Sequence, residues 1–214
     1  DKGSDIAKND LYKKGLFHVQ DLASQTAISV LAPKKGERVL DLCASPGGKS
    51  FTMAEYMENS GEIIACDLYE QRVGLIADGA KRLGLDIIKT AVSDATVYNE
   101  ALGEFDCILC DVPCSGLGVI RRKPDIKYKP ETDFKELEEI QYNILKNAVK
   151  YLKKGGRILY STCTLRREEN ENLVIRFLKE YNTFRKVSEN TLMPHINNTD
   201  GFYYALLENC TSED

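Results

Sequence analysis

Apolar runs bounded by glycine and acidic residues alternate along the chain with amphipathic stretches. That alternation is the pattern of a parallel sheet wound on both faces by helices. Strands are predicted at residues 38–42, 62–67, 87–91, 105–111 and 157–161, and a last apolar strand at 202–207 follows the Asp200-Gly201 turn. A helix is predicted over 21–31, with Asp21 as its N-cap and Pro33 just beyond its end. Two more are predicted over 134–152 and 168–181. The segment 114–132, rich in Gly, Pro, Arg and Lys, is too long for a plain connector and reads as a functional loop. The fold class is α/β, a doubly wound, mostly parallel sheet.

A length of 214 residues suits one domain spanning 1–214, led by a polar stretch over 1–14. The chain starts at Asp1, not Met, which suggests a fragment whose missing part lies upstream. Seven cysteines form an odd set without regular spacing, and there is no charged-then-apolar leader and no apolar run near membrane-spanning length. A cytoplasmic, reduced protein with free thiols and no membrane span is expected. Cys107 and Cys110, three apart on a strand, point to opposite faces and cannot share a metal ion, so no metal is expected. A net charge of −4 argues against a general polyanion-binding surface, yet a local basic segment can still grip phosphates.

Pro113-Cys114-Ser115-Gly116 and Ser161-Thr162-Cys163-Thr164 each follow a predicted strand. Open α/β sheets bind ligands beyond the carboxyl ends of their strands, so the two thiols are expected to converge on one crevice. A lone free cysteine is most often a small core hydrophobe. Two of them at such strand ends point instead to thiol chemistry.

Cys43, Ala44, Ser45, Pro46, Gly47, Gly48 and Lys49 link a strand to a helix start. A phosphate-binding G-x-x-x-x-G-K-[ST] loop would need glycine where Cys43 stands, and a dinucleotide G-x-G-x-x-G fingerprint fails because the glycines are adjacent. What fits is a nucleoside cofactor with little or no phosphate, its carboxylate received by backbone N–H groups at a helix N-terminus. S-adenosylmethionine has that chemistry. Asp67, closing the second strand, suits its ribose hydroxyls, and Asp94, after the third, suits its adenine amino group. An acid at such a place is otherwise an N-cap or turn former.

These residues closely resemble the RNA cytosine-5 methyltransferases, the family of bacterial Sun/Fmu-type ribosomal RNA enzymes and eukaryotic NOL1/NOP2/Sun proteins. The likeness runs from Gly15-Leu16-Phe17-His18-Val19-Gln20-Asp21 through the Cys43–Lys49 loop, Asp111-Val112-Pro113-Cys114-Ser115-Gly116 and Ser161-Thr162-Cys163-Thr164-Leu165 to Asp200-Gly201-Phe202-Tyr203. Within the family, Gly118-Val119-Ile120-Arg121-Arg122-Lys123-Pro124-Asp125-Ile126-Lys127 looks most like the RsmB-type branch that acts on small-subunit (16S) rRNA. The resemblance implies a Rossmann-like methyltransferase sheet with a C-terminal antiparallel strand. It implies that the Cys43–Lys49 loop, Asp67, Asp94 and Asp111 contact S-adenosylmethionine. It makes Cys163 the nucleophile that forms a covalent adduct at cytosine C6, and Cys114 the thiol that assists release. An RNA partner and a monomeric state are expected with it. Members of that branch carry an upstream helical RNA-binding domain that nothing here resembles, so RNA is expected to bind this chain weakly.

Carbon 5 of cytosine is too electron-poor to take a sulfonium methyl unaided, which is why a thiolate must first add at C6. A thiol near its ordinary pKa is only slightly ionised at neutral pH, so the site must stabilise the anion. Lys49 is one candidate for that help, unless it is simply a solvated helix residue. Asp111 is placed to stabilise charge developing on the ring. Cys114, or a water it positions, is the candidate base for the C5 proton. Arg121, Arg122, Lys123, Lys127 and Lys129 are candidates for RNA backbone contacts, with a solvated loop as the alternative. Two other readings of the chain are a non-catalytic RNA-binding or ribosome-assembly module and a methyltransferase of another acceptor, such as tRNA, protein or a small molecule.

Overall fold

A computed structural model describes residues 6–128 and 132–210, so Lys129 lies outside the described residues. Seven strands form one sheet: β1 (Arg38–Asp41), β2 (Glu62–Asp67), β3 (Ile88–Val92), β4 (Phe105–Asp111), β5 (Leu152–Thr162), β6 (Phe184–Leu192) and β7 (Phe202–Asn209). Their spatial order is β3-β2-β1-β4-β5-β7-β6. The first five strands are parallel, and β7 runs antiparallel between β5 and β6. The helices are α1 (Asp10–Lys13), α2 (Leu22–Leu31), α3 (Gly48–Tyr56), α4 (Glu70–Leu83), α5 (Thr132–Val149), α6 (Glu171–Glu180) and α7 (Pro194–Asn197).

Both faces of the sheet are covered because its central strands are apolar at successive positions. Val39, Ile63, Cys107 and Leu109 pack with Ala27, Ile28 and Leu31 of α2 and Met53 of α3. Leu40, Ile64, Ile108 and Cys110 face the opposite side, with Tyr142 and Leu145 of α5 and Val174 and Phe177 of α6. Cys107 and Cys110 thus lie on opposite faces, as strand periodicity requires. Asp21 caps α2 as expected, its Oδ1 accepting from Ala23 N at 2.9 Å.

The structure departs from the sequence expectations at several places, one being α6, which begins at Glu171 and not at 168 because residues 167–170 form turns after β5. Helix α5 ends at Val149 and not near 152, because Tyr151 O accepts from Phe105 N and commits the chain to the sheet. Strand β5 begins at Leu152 and not at 157, since Leu152 already pairs with Phe105; Lys153-Lys154-Gly155-Gly156 forms the irregularity before Arg157 resumes the register opposite Cys107. Strand β6 is not anticipated at all. It is an edge strand paired only with β7, buries its ends Phe184 and Leu192, and exposes much of the charged stretch between.

The topology reverses between β1 and β4, and the chemistry-bearing loops all leave the sheet at that carboxyl edge. The segment 114–132 is not irregular throughout but contains 3-10 turns at Leu117–Val119 and Pro124–Tyr128. It is stitched down at one glycine. Gly118 N donates to Cys163 O at 3.0 Å, and Gly118 O accepts from Gly201 N at 2.9 Å. A Cβ at Gly118 would lie 2.0 Å from Gly201 O and 2.8 Å from Cys163 O, with backbone on both sides. Gly118→Ala should therefore lower unfolding free energy by about 1–3 kcal/mol, the range for overpacking a closed site. Urea denaturation measures it, and an unshifted midpoint would mean that this contact yields freely.

Candidate active site

The loop after β1 turns the chain into α3 by way of Gly47, whose φ of +107° is left-handed. A Cβ there would meet the Phe51 ring at 2.4 Å, so glycine is required both by conformation and by the close approach of that ring. No side chain caps α3, which leaves its first amides available to an external acceptor. Beside this loop a cleft of about 620 Å³ runs across the carboxyl ends of the strands, lined by Cys43, Ser45, Asp67, Asp94, Asp111, Cys114 and Cys163 among others. Its volume suits a nucleoside-sized ligand. Asp67 is buried at the end of β2, and Asp94 is exposed at the rim after β3. Asp94 also forms a local turn, its Oδ1 accepting from Thr96 N at 2.8 Å and Thr96 Oγ1 at 2.6 Å, so it is a turn former that at the same time lines the cleft. An uncapped helix start, a cleft of this size and acids at two successive strand ends fit a carboxylate-bearing nucleoside such as S-adenosylmethionine.

The two thiols do converge, with Cys114 Sγ and Cys163 Sγ 3.2 Å apart in hydrogen-bonding contact. Donation from Cys114 holds the Cys163 thiol below its ordinary range, with Lys49 assisting against the burial and the Asp111 charge that oppose it. Cys114 is pushed well above that range by being the donor, by burial and by the charges of Cys163 and Glu169. The pair is therefore asymmetric, with Cys163 the better anion.

Lys49 is not a solvated helix residue. Its side chain is 16% exposed and its Nζ lies 2.6 Å from Asp111 Oδ2. Burial disfavours its charge, but the carboxylates of Asp111 and Asp41 and the nearby Cys163 sulfur outweigh that and raise its pKa. The other oxygen of Asp111, Oδ1, accepts from Ser161 Oγ at 2.8 Å, across the parallel register that sets Asp111 opposite Ser161. Asp111 lines the 620 Å³ cleft and two smaller cavities of about 270 and 360 Å³, and Cys163 lines the first and the last. The ion pair thus stands where the nucleoside-sized cleft meets a second opening.

That second opening is bordered by the basic loop. Arg122 and Lys123 line the 360 Å³ cavity with Asp200 and Phe202. Arg122 makes an ion pair with the buried Asp200, and Arg121 approaches the same carboxylate at 3.9 Å. Both arginine side chains remain more than half exposed, at 57% and 66%, so they keep donors facing solvent. Lys127 is exposed and borders none of these three cavities. Among the described residues no helix is long and apolar enough to cross a membrane, and no group of three or more His, Cys, Asp or Glu side chains is placed to hold a metal ion.

Three site residues escaped the sequence reading. Ser161 and Asp200 stand inside motifs already quoted, but their roles come from partners far away along the chain, which no local pattern marks. Asp41 had a signal, an acid closing an apolar run. It is fully buried, accepts from Ser50 Oγ at 2.7 Å through Oδ2, and leaves Oδ1 without a hydrogen bond. Burial raises its pKa from 3.8 to about 7, partly offset by Ser50. Between those values the folded chain binds a proton that the unfolded chain has lost, so this contribution to stability is full below pH 3.8 and declines as pH rises to about 7. Asp41→Asn removes the titration. The stability of the native chain relative to this variant should fall, by an amount on the order of a few kcal/mol, across that window. Denaturation of both proteins at a series of pH values measures it; a constant difference would refute the assignment.

The 16S rRNA methyltransferase RsmB/F family matches residues 28–208. A Bacillus subtilis protein named a probable ribosomal RNA small subunit methyltransferase B is 41% identical over 92% of this chain and 49% of its own length. The ribosomal RNA small subunit methyltransferase B of Shewanella oneidensis is 39% identical over 97% of this chain and 51% of its own. The chain thus spans about half the length of these curated relatives. Among solved structures, NSun6 from Pyrococcus horikoshii with SFG, an S-adenosylmethionine analogue, superposes with a TM-score of 0.89 at 30% identity, over 96% of this chain and 56% of that one. A methyltransferase homolog protein from the same organism gives 0.86 at 28% identity, over 98% and 73%. The Rossmann-like sheet, the paired thiols and these likenesses agree: the chain belongs to the 16S rRNA methyltransferase RsmB/F family.

Proposed function

We propose that this chain catalyses S-adenosylmethionine-dependent methylation of carbon 5 of a cytosine in small-subunit rRNA, through a covalent adduct between Cys163 and C6. The observation that carries this reading is the pair of thiols 3.2 Å apart beside the Lys49–Asp111 ion pair, at the junction of two openings. A methyl transfer to a nitrogen or an oxygen would need no such pair. The family and the names of the relatives support the ribosomal substrate. On this reading the reaction takes place in the cytoplasm, where bacteria such as those of the curated relatives keep their ribosomes.

The Cys43–Lys49 loop at the start of α3 would hold the donor, with Asp67 available to its ribose hydroxyls, Asp94 to its adenine amino group and Asp111 also in contact with it. Bound there, S-adenosylmethionine would supply an electrophilic methyl group, its sulfonium–carbon bond breaking so that the donor leaves as a neutral thioether. The target cytosine must leave its stack to reach a pocket at the sheet edge, so single-stranded or flipped RNA is the substrate. Cys163, favoured as the anion by Cys114 and Lys49, adds its sulfur to C6. The C5–C6 π electrons then become available at C5 for the new carbon–carbon bond. Asp111, fixed by Ser161 and Lys49, faces the amino edge of the ring, while the Lys49 ammonium offsets the charge that develops on it.

After transfer the C5 proton must leave. With Cys163 bound as a thioether, the Cys163 charge and its hydrogen bond, the largest of the influences that keep Cys114 protonated, are gone, while burial and the Glu169 charge remain. Cys114 then loses its proton to solvent and takes the C5 proton. The C5–H electrons restore the double bond, the C6–S bond breaks, and Cys163 returns as a thiolate.

Attack and release are different steps, so their loss leaves different traces. Cys163→Ala should abolish both methylation and any protein–RNA adduct. Cys114→Ala should allow attack and accumulate an adduct that survives denaturing gels. Trapping on RNA containing 5-fluorocytosine identifies the attacking thiol by peptide mapping, and an adduct on Cys114 would reverse the two roles. The basic loop is tested separately: neutralising Arg121 and Arg122 together should weaken RNA binding and flatten its salt dependence by about one to two phosphate contacts. An unaltered salt slope would return these arginines to a purely intramolecular role with Asp200.

A further inference from the structure

Cys114 and Cys163 are the same functional group, and a hydrogen bond between them does not by itself say which one gives up the proton. Their surroundings differ. Lys49 stands near Cys163, whereas the acid whose charge acts on Cys114 is Glu169, a side chain with no exposed surface. Glu169 Oε2 accepts from Ser115 N at 2.9 Å and from Gln141 Nε2 at 2.8 Å, and the same Gln141 nitrogen reaches Pro113 O at 2.9 Å. The loop carrying Cys114 is thereby clamped on both sides of the cysteine by one carboxylate and its amide partner. Ser115 Oγ also shares a hydrogen bond with Thr164 Oγ1 at 2.8 Å, which ties this loop to the one carrying Cys163. Glu169 Oε1 makes no hydrogen bond and has Arg166 Nε at 3.8 Å as its nearest cation.

We infer that Glu169 is a positioning residue that sorts the two thiols: its buried carboxylate, fixed against the Cys114 loop, disfavours negative charge on Cys114 and leaves Cys163 as the thiolate opposite Lys49. This deepens the methyltransferase reading and rests on it for its purpose, though not for its test. A buried carboxylate acts strongly on a neighbouring charge because little water lies between to screen it. The Glu169 charge is among the causes that hold Cys114 high. The other groups facing the pair act in both directions. Asp111 opposes the Cys163 anion and Lys49 favours it, while the buried Tyr160, whose hydroxyl donates to Glu169 O at 2.7 Å, stands on the Cys114 side.

The test uses the whole chain and iodoacetamide, with the alkylation rate of each cysteine followed by peptide mass spectrometry from neutral to alkaline pH. In the native chain Cys163 should react ahead of Cys114. Glu169→Gln keeps an oxygen for Ser115 N but removes the charge. It should bring the Cys114 profile to lower pH and narrow the ratio of the two rates by about tenfold, the factor carried by one pKa unit. Arg166→Gln removes the cation beside Glu169 and should widen the ratio. An unchanged ratio in folded Glu169→Gln, or an equal acceleration of both thiols as loosened packing would give, overturns the inference. Where Glu169→Gln does not fold, Arg166→Gln decides alone, and an unchanged ratio again overturns it. Alkylation requires neither methyl donor nor RNA, so a failure of the cytosine-5 reading and a failure of thiol sorting register in different assays.

Discussion

The parallel register of β4 with β5 is the constraint on which the site depends. Asp111 lies opposite Ser161, and the strands end there together, so the two cysteine loops leave the sheet side by side. A slip of one residue would exchange the faces of every side chain on one strand. Cys110 and Tyr160, paired across the two strands and both buried in the core, would then no longer share a face, and the thiols would part. The register is held by packing on both faces, which makes the position of the chemistry a by-product of the core.

A second condition is electrostatic. Asp41, Asp111, Lys49 and two thiols occupy a small, largely buried region, where unpaired charge is costly. Lys49 serves both acids and Cys163, so a single ammonium neutralises a cluster that would otherwise hold several protons. Ser161 and Ser50 supply the hydrogen bonds that ammonium cannot reach. This sharing explains why the lysine closing the glycine loop is buried although it begins a helix.

The parts of the site that were legible in the sequence are those encoded locally. The Cys43–Lys49 turn, the cysteines after two apolar strands and Asp67 at a strand end all announce themselves within a few residues of the element that positions them. The parts that were not legible depend on long-range contact. Arg122 meets Asp200 only because the loop after β4 reaches the turn before β7, and Ser161 becomes a ligand of Asp111 only through sheet pairing. Likewise β6 carries too little apolar character to be read alone, since its stability comes from hydrogen bonding to β7. Lys49 could be read either way until its burial and its partner were visible.

The antiparallel strand β7, inserted between β5 and β6, has a consequence for the order of assembly. The segment Phe202–Asn209 must enter beside β5 after the rest of the parallel sheet has been synthesised, and the Gly201–Gly118 contact that seats the basic loop comes with it. A chain emerging from the ribosome therefore presents both thiols before it can close the pocket around them. The walls of the site mature last, so an unfinished polypeptide carries the reactive pair without the seat that positions it.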